Sequence, residues 1–269
     1  MKLYPLYCGK LNSKRSDLIQ DEKALSDPEA RQFIPVPAYL IEHPEVGYIL
    51  YDTGCDPDAM NGAWPPSRVQ VAPLYNEENK NVTDRIRDLG IDPDDVKIII
   101  LSHLHCDHAG GIHLFKNAER VIVSEVELNT TMKNYREGGD LNAHELCDIK
   151  HWIEADVKWE TIPEDAFEVD LCDGVKIINF GSGHAWGMLG LMVKLPNSGT
   201  YLFTSDCTYL RENIGPPVTL PALDFCLDPD GYRKSLDNIL MLGEKYNAKY
   251  IAGHDIFQFE ELRKKTYWD

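Results

Sequence analysis

An apolar run that ends in a cluster of metal-binding residue types decides the fold of this chain. The run Ile98-Ile99-Ile100-Leu101 is followed directly by Ser102-His103-Leu104-His105-Cys106-Asp107-His108-Ala109-Gly110-Gly111. Because the run has no polar face, it is typical of a strand buried on both sides of its sheet. Side chains alternate along an extended chain, so His103, His105 and Asp107 point to one side. His108 adds a fourth group where a helix begins, and the segment predicts a metal site at a strand end.

Three further candidate ligands lie downstream, and each follows a predicted strand. They are His184 in Gly181-Ser182-Gly183-His184, Asp206 in Ser205-Asp206-Cys207 and His254 in Gly253-His254-Asp255. Together with the first segment they supply imidazole and carboxylate groups, which suit zinc and neighbouring divalent cations. Their common position at strand ends predicts that they gather at one edge of the fold.

The rest of the chain alternates strand-like and helix-like segments. Apolar residues at helical spacing predict helices over 82–89 and 230–246, whereas two long segments, 9–33 and 54–78, follow no period. We expect one α/β domain over 1–269, built from two packed sheets with outer helices. The predicted strands are Val36–Ile41, Tyr48–Tyr51, Lys97–Leu101, Arg120–Val123, Phe167–Leu171, Val175–Phe180, Leu189–Leu195, Tyr201–Thr204 and Tyr250–Ala252.

Composition and charge narrow the possible functions. Of the 269 residues, 43% are hydrophobic and 26% are charged, which is ordinary for a globular protein. The 44 acidic residues outnumber the 27 basic ones and give a net charge of −17. Such a surface repels phosphate groups, which argues against nucleic acid and anionic membranes as partners. No apolar run is long enough to predict a membrane-spanning helix.

Cysteine usage and the N-terminal segment predict a cytoplasmic protein. The seven cysteines are odd in number and include no C-x-x-C pair, so free thiols in a reducing compartment are expected. The first residues lack the long apolar region and the cleavage site of a signal peptide. The sequence leaves the oligomeric state open, a homodimer included.

Five segments together make the chain resemble the metallo-β-lactamase superfamily and, within it, the metal-dependent N-acyl-homoserine lactonases. The segments are Pro35–Gly54, which ends in Asp52-Thr53-Gly54, Ile91–Val96, the metal segment 101–111, Asp206–Tyr209 and Gly253–Asp255. The resemblance extends over almost the whole length. It implies the metallo-β-lactamase fold, an αβ/βα sandwich of two mixed β-sheets with outer helices and two divalent metal ions at the crest between the sheets.

The resemblance also divides the seven candidate ligands into two sets of three and one shared residue. One metal would be held by His103, His105 and His184, the other by Asp107, His108 and His254, and Asp206 would bridge both. Zinc is the expected metal. Fe, Mn and Co are left open, because the ligands order these ions by affinity but do not decide which of them the cell supplies. Asp52 is expected to orient one of the ligand imidazoles.

The activity that the resemblance implies is hydrolytic opening of a lactone ring. The expected substrates are small molecules, N-acyl-homoserine lactones above all, whose cleavage quenches quorum sensing. A hydroxide bridging the two metals would attack the ester carbonyl. As catalytic residues, Tyr209 would hydrogen-bond the carbonyl oxygen and Asp107 would pass a proton to the leaving alkoxide.

Three other functions remain open at this stage. The chain could open another lactone, such as a pyridoxolactone-like compound, or it could cleave a phosphodiester. It could also be a non-catalytic metal-binding sensor, although a complete set of seven ligands argues against that. A panel of lactones assayed beside a chromogenic phosphodiester separates these possibilities.

The two segments without a period are expected to line a substrate groove. A metal site at a sheet crest offers little apolar contact, whereas an acyl tail needs a hydrophobic groove. We therefore expect segments 9–33 and 54–78 to fold over the crest, with Trp64 or Phe33 touching the acyl chain. Packing on the far side of the molecule, or in a subunit contact, is the alternative.

Overall fold

A computed structural model, which describes residues 1–269, shows a seven-stranded mixed sheet on one side of the molecule. Its strands are β1 (Lys2–Lys14), β2 (Arg31–His43), β3 (Gly47–Tyr51), β4 (Leu74–Tyr75), β5 (Val96–Ile100), β6 (Arg120–Ser124) and β7 (Trp159–Ile162). Their spatial order is β4-β1-β2-β3-β5-β6-β7. The pairs that involve β1 and β2 are antiparallel, and β3, β5, β6 and β7 run parallel.

A second mixed sheet has five strands. They are β8 (Glu168–Cys172), β9 (Val175–Gly181), β10 (Met188–Leu195), β11 (Gly199–Ser205) and β12 (Ala248–Ala252). The spatial order is β12-β11-β10-β9-β8, and only β11 and β12 pair in parallel.

Nine α-helices and several single turns of 3₁₀-helix connect the strands. The helices are α1 (Arg15–Leu18), α2 (Glu22–Ser26), α3 (Pro66–Val71), α4 (Val82–Asp88), α5 (Cys106–Ala109), α6 (Glu125–Glu137), α7 (Leu146–Glu154), α8 (Pro229–Tyr246) and α9 (Ile256–Leu262). The longest, α8, begins where the Asp228 carboxylate accepts a hydrogen bond from the Gly231 amide. It ends at Asn247, whose φ of 47° is left-handed. No helix has both the length and the apolar character needed to cross a membrane.

Three buried clusters show that the layers are stacked as helices, sheet, sheet and helices. The central cluster joins side chains of both sheets, among them Tyr39 of β2 and Phe203 of β11, whose ring centroids are 4.2 Å apart. A second cluster lies on the outer face of the seven-stranded sheet and includes Ile86 of α4 and Trp152 of α7. A third covers the outer face of the five-stranded sheet with α8. The predicted αβ/βα sandwich of two mixed sheets is therefore confirmed.

The predicted strands and both predicted helices coincide with observed elements, whereas the two segments without a period were wrongly expected to lack regular structure. Strand β1 continues to Lys14, and α3 lies within segment 54–78. The period of β1 is hidden because the register shifts between Tyr7 and Lys10, where Gly9 takes a φ of 117°. Strand β7 and the helices α6, α7 and α9 were also not predicted.

Candidate metal centre

All seven predicted ligands are buried and meet at one crest of the sandwich. His103, His105, Asp107 and His108 follow the carboxyl end of β5 in the seven-stranded sheet. The other three follow strands of the five-stranded sheet: His184 after β9, Asp206 after β11 and His254 after β12. The site therefore depends on residues from both sheets.

One half of the crest consists of imidazoles alone. His103, His105 and His184 each direct a ring nitrogen into the same space, within 4.8 Å of one another. The Nδ1 atom of His105 lies 2.8 Å from the Nε2 atom of His184. Three imidazole nitrogens converging on one point form an arrangement that proteins use to bind zinc.

The other half combines imidazoles with a carboxylate. Asp107, His108 and His254 also place their ligand atoms within 4.8 Å of one another. The Oδ2 atom of Asp107 is 3.7 Å from His108 Nε2 and 3.6 Å from His254 Nε2. This half therefore offers a mixed nitrogen and oxygen site.

The Asp206 carboxylate lies between the two halves. Its Oδ2 atom is 3.4 Å from His184 Nε2 in the first half. Its Oδ1 atom is 3.1 Å from His254 Nε2 and 3.5 Å from His108 Nε2 in the second half. Each oxygen of one carboxylate thus faces a different set of ligands.

The hydrogen bonding at the crest is incomplete in a way that fits divalent cations. The Nε2 atoms of His103 and His108 and the Oδ1 atom of Asp206 are buried, and none has a hydrogen-bond partner. Each unsatisfied buried polar atom costs about 1–3 kcal/mol. A cation in each half would satisfy these lone pairs at once, and nitrogen and carboxylate oxygen are the ligands that zinc and its neighbours prefer.

Outer hydrogen bonds fix the orientation of the imidazoles. As predicted, Asp52 contacts a ligand imidazole, with its Oδ2 atom 2.8 Å from His108 Nδ1. The Ser102 hydroxyl donates to the same Asp52 oxygen at 2.9 Å and lies 3.0 Å from His103 Nδ1. His254 Nδ1 donates to the Pro35 carbonyl at 2.7 Å. These contacts leave Nε2 of each ring free to bind a metal.

The backbone beside the centre is held in an uncommon conformation. Asp52 has a φ of 60° and Ser205, next to Asp206, has a φ of 46°, although neither residue is glycine. Left-handed backbone costs on the order of 1–3 kcal/mol for such residues and concentrates at functional sites. The fold therefore holds strained backbone at two places beside the centre, at Asp52, which contacts His108, and at Ser205, which precedes Asp206.

The electrostatics differ between the two halves. Burial lowers the pKa of His103 and of His105, and neighbouring imidazoles lower it further, so both rings are neutral. Burial also disfavours the charged form of His108, but Asp107 and Asp206 outweigh it and raise the pKa of His108 to about 10. The acidic half of the centre therefore attracts positive charge, whereas the first half already holds the neutral rings that bind metals.

Tyr209 lies where the sequence placed it, at the wall of the crest. Its hydroxyl is 2.8 Å from His184 Nδ1, and its ring is buried. Burial and the nearby Asp206 charge raise the pKa of Tyr209 well above its usual value. The phenol therefore stays protonated and can donate a hydrogen bond.

Glu127 and His144 support the metal segment and were not predicted. The Glu127 carboxylate accepts hydrogen bonds from the Leu104 amide and the Gly187 amide, both at 3.0 Å. His144 Nε2 lies 2.7 Å from the same carboxylate, and its ring stacks on Trp186. Both residues come from segments with no local motif, so the sequence carried no signal for them.

A cleft of about 370 Å³ opens beside the centre. His105, Asp107 and His184 form part of its floor, and Tyr209 lines it as well. Both segments 9–33 and 54–78 contribute walls, as predicted. The apolar part of the wall is formed by Leu11, Leu18, Ile34, Val71, Ala72 and Phe225.

Trp64 and Phe33, in contrast, do not line this cleft, so their predicted contact with an acyl chain is wrong. Trp64 is buried beneath the guanidinium group of Arg68, which lies 5.1 Å from the indole ring. Phe33 packs edge-on against Tyr75 at 5.2 Å, away from the cleft. Arg68 itself lines the cleft and donates from Nε to Cys106 Sγ at 3.2 Å. It was not predicted because a lone arginine in an unperiodic segment carries no signal.

Comparisons with known proteins agree with this geometry. A profile described as the metallo-beta-lactamase superfamily matches residues 31–254. The chain is 37% identical over 235 residues to the N-acyl homoserine lactonase AiiB of Agrobacterium fabrum, covering 87% of this chain and 84% of that protein. It is 31% identical to AttM of Rhizobium radiobacter, another N-acyl homoserine lactonase, over 98% of this chain and 97% of that protein.

Solved structures give the same result. An N-acyl homoserine lactone hydrolase with the product N-hexanoyl-L-homoserine bound at its catalytic metal centre has a TM-score of 0.80 and 27% identity. The match covers 97% of this chain and 95% of that one. A mutant of Bacillus thuringiensis AiiA with N-decanoyl-L-homoserine at its active site matches with the same TM-score, identity and coverage. The chain belongs to the metallo-β-lactamase superfamily and, within it, to the N-acyl homoserine lactonase family.

Proposed function

We propose that this protein hydrolyses the ester bond of lactone rings and that N-acyl homoserine lactones are its substrates. The observation that carries the proposal is the position of the Asp206 carboxylate, which faces both halves of the ligand cluster at the floor of a cleft with apolar walls. The named relatives act on the same class of compound.

The seven residues of the crest would hold two divalent cations, zinc in our proposal. His103, His105 and His184 would bind one ion, Asp107, His108 and His254 the other, and Asp206 both; the clusters and unsatisfied atoms described above support this division. When bound, such cations make water nucleophilic at neutral pH and polarise an ester carbonyl.

Tyr209 is proposed to stabilise the charge that develops on the lactone carbonyl oxygen. Because His184 directs Nε2 toward Asp206, its ring proton resides on Nδ1 and can be donated to the Tyr209 oxygen. The Tyr209 O–H is then free to donate into the cleft. A donor placed at a developing oxyanion is worth about two to three orders of magnitude in turnover.

Asp107 is proposed to carry the proton that completes the reaction. Water adds its oxygen to the acyl carbon, the ring C–O bond breaks, and the ring oxygen leaves as an alkoxide that needs one proton. The Asp107 carboxylate lines the cleft beside the centre, so it can take the proton that water loses and deliver it to that oxygen. The product is an acyl homoserine with a free hydroxyl and a free carboxyl group, which loses its remaining proton to solvent at neutral pH.

The cleft also suggests how the acyl tail is bound. Val71 of α3 and Leu11 of β1 belong to its apolar wall, and each CH₂ group buried there contributes at most about 0.8 kcal/mol. We propose that the amide and ring lie near the polar floor and the acyl chain lies along this wall. Opening of such lactones would quench quorum sensing, and the seven free cysteines are consistent with work in the cytoplasm.

Replacement of Asp206 tests the proposal. We expect Asp206→Asn to lower both the bound metal and the rate of ring opening, because the amide loses the negative charge that faces both halves. Metal content is measured by mass spectrometry, and hydrolysis of lactones with short and long acyl chains by pH-stat titration.

A matched control is Asp173→Asn, which removes the same charge from an exposed hairpin turn and leaves metal and activity unchanged. A fully metallated and fully active Asp206→Asn variant would contradict the arrangement. Wild-type protein that cleaves a chromogenic phosphodiester but no lactone would contradict the activity.

A further inference from the structure

A second cluster of histidine and aspartate side chains shares no residue with the metal centre. Asp56 follows the Asp-Thr-Gly segment after β3, His113 lies in the 3₁₀ turn Ile112–Leu114, and His151 belongs to α7. One ligand atom from each of the three residues lies within 4.8 Å of the other two. Three separate segments of the chain thus bring two imidazoles and a carboxylate to one point.

His151 and Asp56 of this cluster lie close together but are not joined by a hydrogen bond. The Nδ1 atom of His151 lies 2.9 Å from the Oδ2 atom of Asp56, yet the two groups are not aligned for donation. Both atoms are buried and lack a hydrogen-bond partner. His103 Nε2 and Asp206 Oδ1 at the metal centre are likewise buried without a hydrogen-bond partner. There, too, lone pairs converge without a proton between them.

Outer hydrogen bonds hold the carboxylate and one imidazole ready to bind an ion. The Asp58 amide donates to the other oxygen of Asp56 at 2.7 Å, which leaves Oδ2 directed at the cluster. His113 Nδ1 donates to the Gly110 carbonyl at 3.1 Å, which leaves the lone pair on Nε2 free. Metal-binding histidines are commonly oriented in this way by a backbone carbonyl.

The surroundings of the cluster favour a cation. Asp56 is 1% exposed, and no lysine or arginine pairs with it. The Asp148 carboxylate, one turn before His151 on α7, is fully buried and also has an oxygen without a partner. Buried carboxylates are costly unless they are paired or coordinate a metal. The side chain of His151 is 35% exposed, so an ion can enter from solvent and keep water as a further ligand.

We propose that Asp56, His113 and His151 form a third metal site, which takes a borderline divalent cation such as Zn²⁺. An ion there connects three parts of the chain. They are the segment after β3, helix α7, and the 3₁₀ turn that follows the metal segment. Asn142 and Glu145, just before α7, line the substrate cleft. The site therefore fixes one wall of the cleft without taking part in the chemistry.

Metal stoichiometry tests this site directly. Protein is stripped with a chelator, saturated with Zn²⁺, freed of unbound metal and analysed by mass spectrometry. We expect about three equivalents per chain in the wild type and about two in His113→Gln and in His151→Gln. Both histidines are half-buried, so their replacement leaves the core intact. Cobalt titration, followed by visible absorption, gives an independent count of the same sites.

Two controls make the outcome decisive. Asp173→Asn and His43→Gln remove an acidic group and an imidazole outside the cluster and should retain the third equivalent. Lactonase activity of His113→Gln and His151→Gln should stay within about twofold of the wild type, because the seven residues of the metal centre are untouched. Saturation at two equivalents in the wild type, retention of three in both histidine variants, or loss of one in His43→Gln would each overturn the proposal.

Discussion

At the scale of single residues, the proposed catalytic role of Tyr209 can be tested without disturbing metal binding. It lines the cleft and contacts His184 through its hydroxyl. No carboxylate accepts a hydrogen bond from that hydroxyl. We expect Tyr209→Phe to lower kcat by about 10–100-fold while the metal content stays at the wild-type level. Steady-state kinetics together with metal analysis of the same preparation measure both quantities.

Tyr201→Phe is a suitable control, because that tyrosine lies in β11 outside the cleft. It should leave kcat unchanged. If Tyr209→Phe kept full turnover, or lost metal and turnover in parallel, the tyrosine would not act on the carbonyl oxygen.

The residues that the sequence could predict are those with a local pattern. His103, His105, Asp107 and His108 form one dense motif, although Asp107 and His108 lie in α5 and not in the extended segment that was expected, so the three side chains do not share one side by alternation. The side chains that hold the ligands in place have no local pattern. Glu127 reaches the Leu104 amide from α6, far along the chain, so no spacing rule could place it there. Contacts of this kind depend on the tertiary fold.

At the scale of elements, periodicity predicted the buried strands and failed where polar side chains face inward. The buried residues of α6 are Glu127 and Thr131, and its apolar spacing is therefore weak. Strand β1 hides its alternation behind the bulge near Gly9. In contrast, α8 buries regularly spaced apolar residues such as Leu236 and Ile239, and it was predicted almost to the residue.

Helix α3 provides a wall of the cleft, and its last residue tests how the acyl chain is bound. Val71 belongs to the apolar wall and is 42% exposed. We expect KM of the wild type to fall several-fold when the acyl chain grows by two carbons, because each buried CH₂ contributes at most about 0.8 kcal/mol. Val71→Asp should flatten that trend, because a charge beside the chain must be kept hydrated. The measurement is KM across a series of acyl lengths.

The matching control is Val46→Asp, in the exposed turn between β2 and β3. It should preserve the dependence on chain length. An unchanged slope in Val71→Asp would show that the acyl chain does not lie along α3.

At the scale of the whole molecule, the metal centre joins the two sheets. His103 and His108 follow β5 of one sheet, and His184, Asp206 and His254 follow strands of the other. We expect removal of the metals with a chelator to lower Tm by on the order of 5–10 °C, because the buried ligands lose their shared partner. Differential scanning calorimetry before and after stripping measures the effect, and added Zn²⁺ should reverse it. An unchanged Tm in protein shown to be metal-free would indicate that the sheets are held together by their apolar cluster alone.

The two oxygens of Asp206 have a further consequence for how the centre fills. A carboxylate that serves both halves cannot be positioned for one without being positioned for the other. In the proposed arrangement, occupancy of the two halves is therefore thermodynamically linked, and linkage is reciprocal: each ion would change the affinity for its neighbour by the same factor. Under the proposed division of ligands, a defect confined to His184 should therefore change the metal affinity of the half that contains His254, although the two residues belong to different halves.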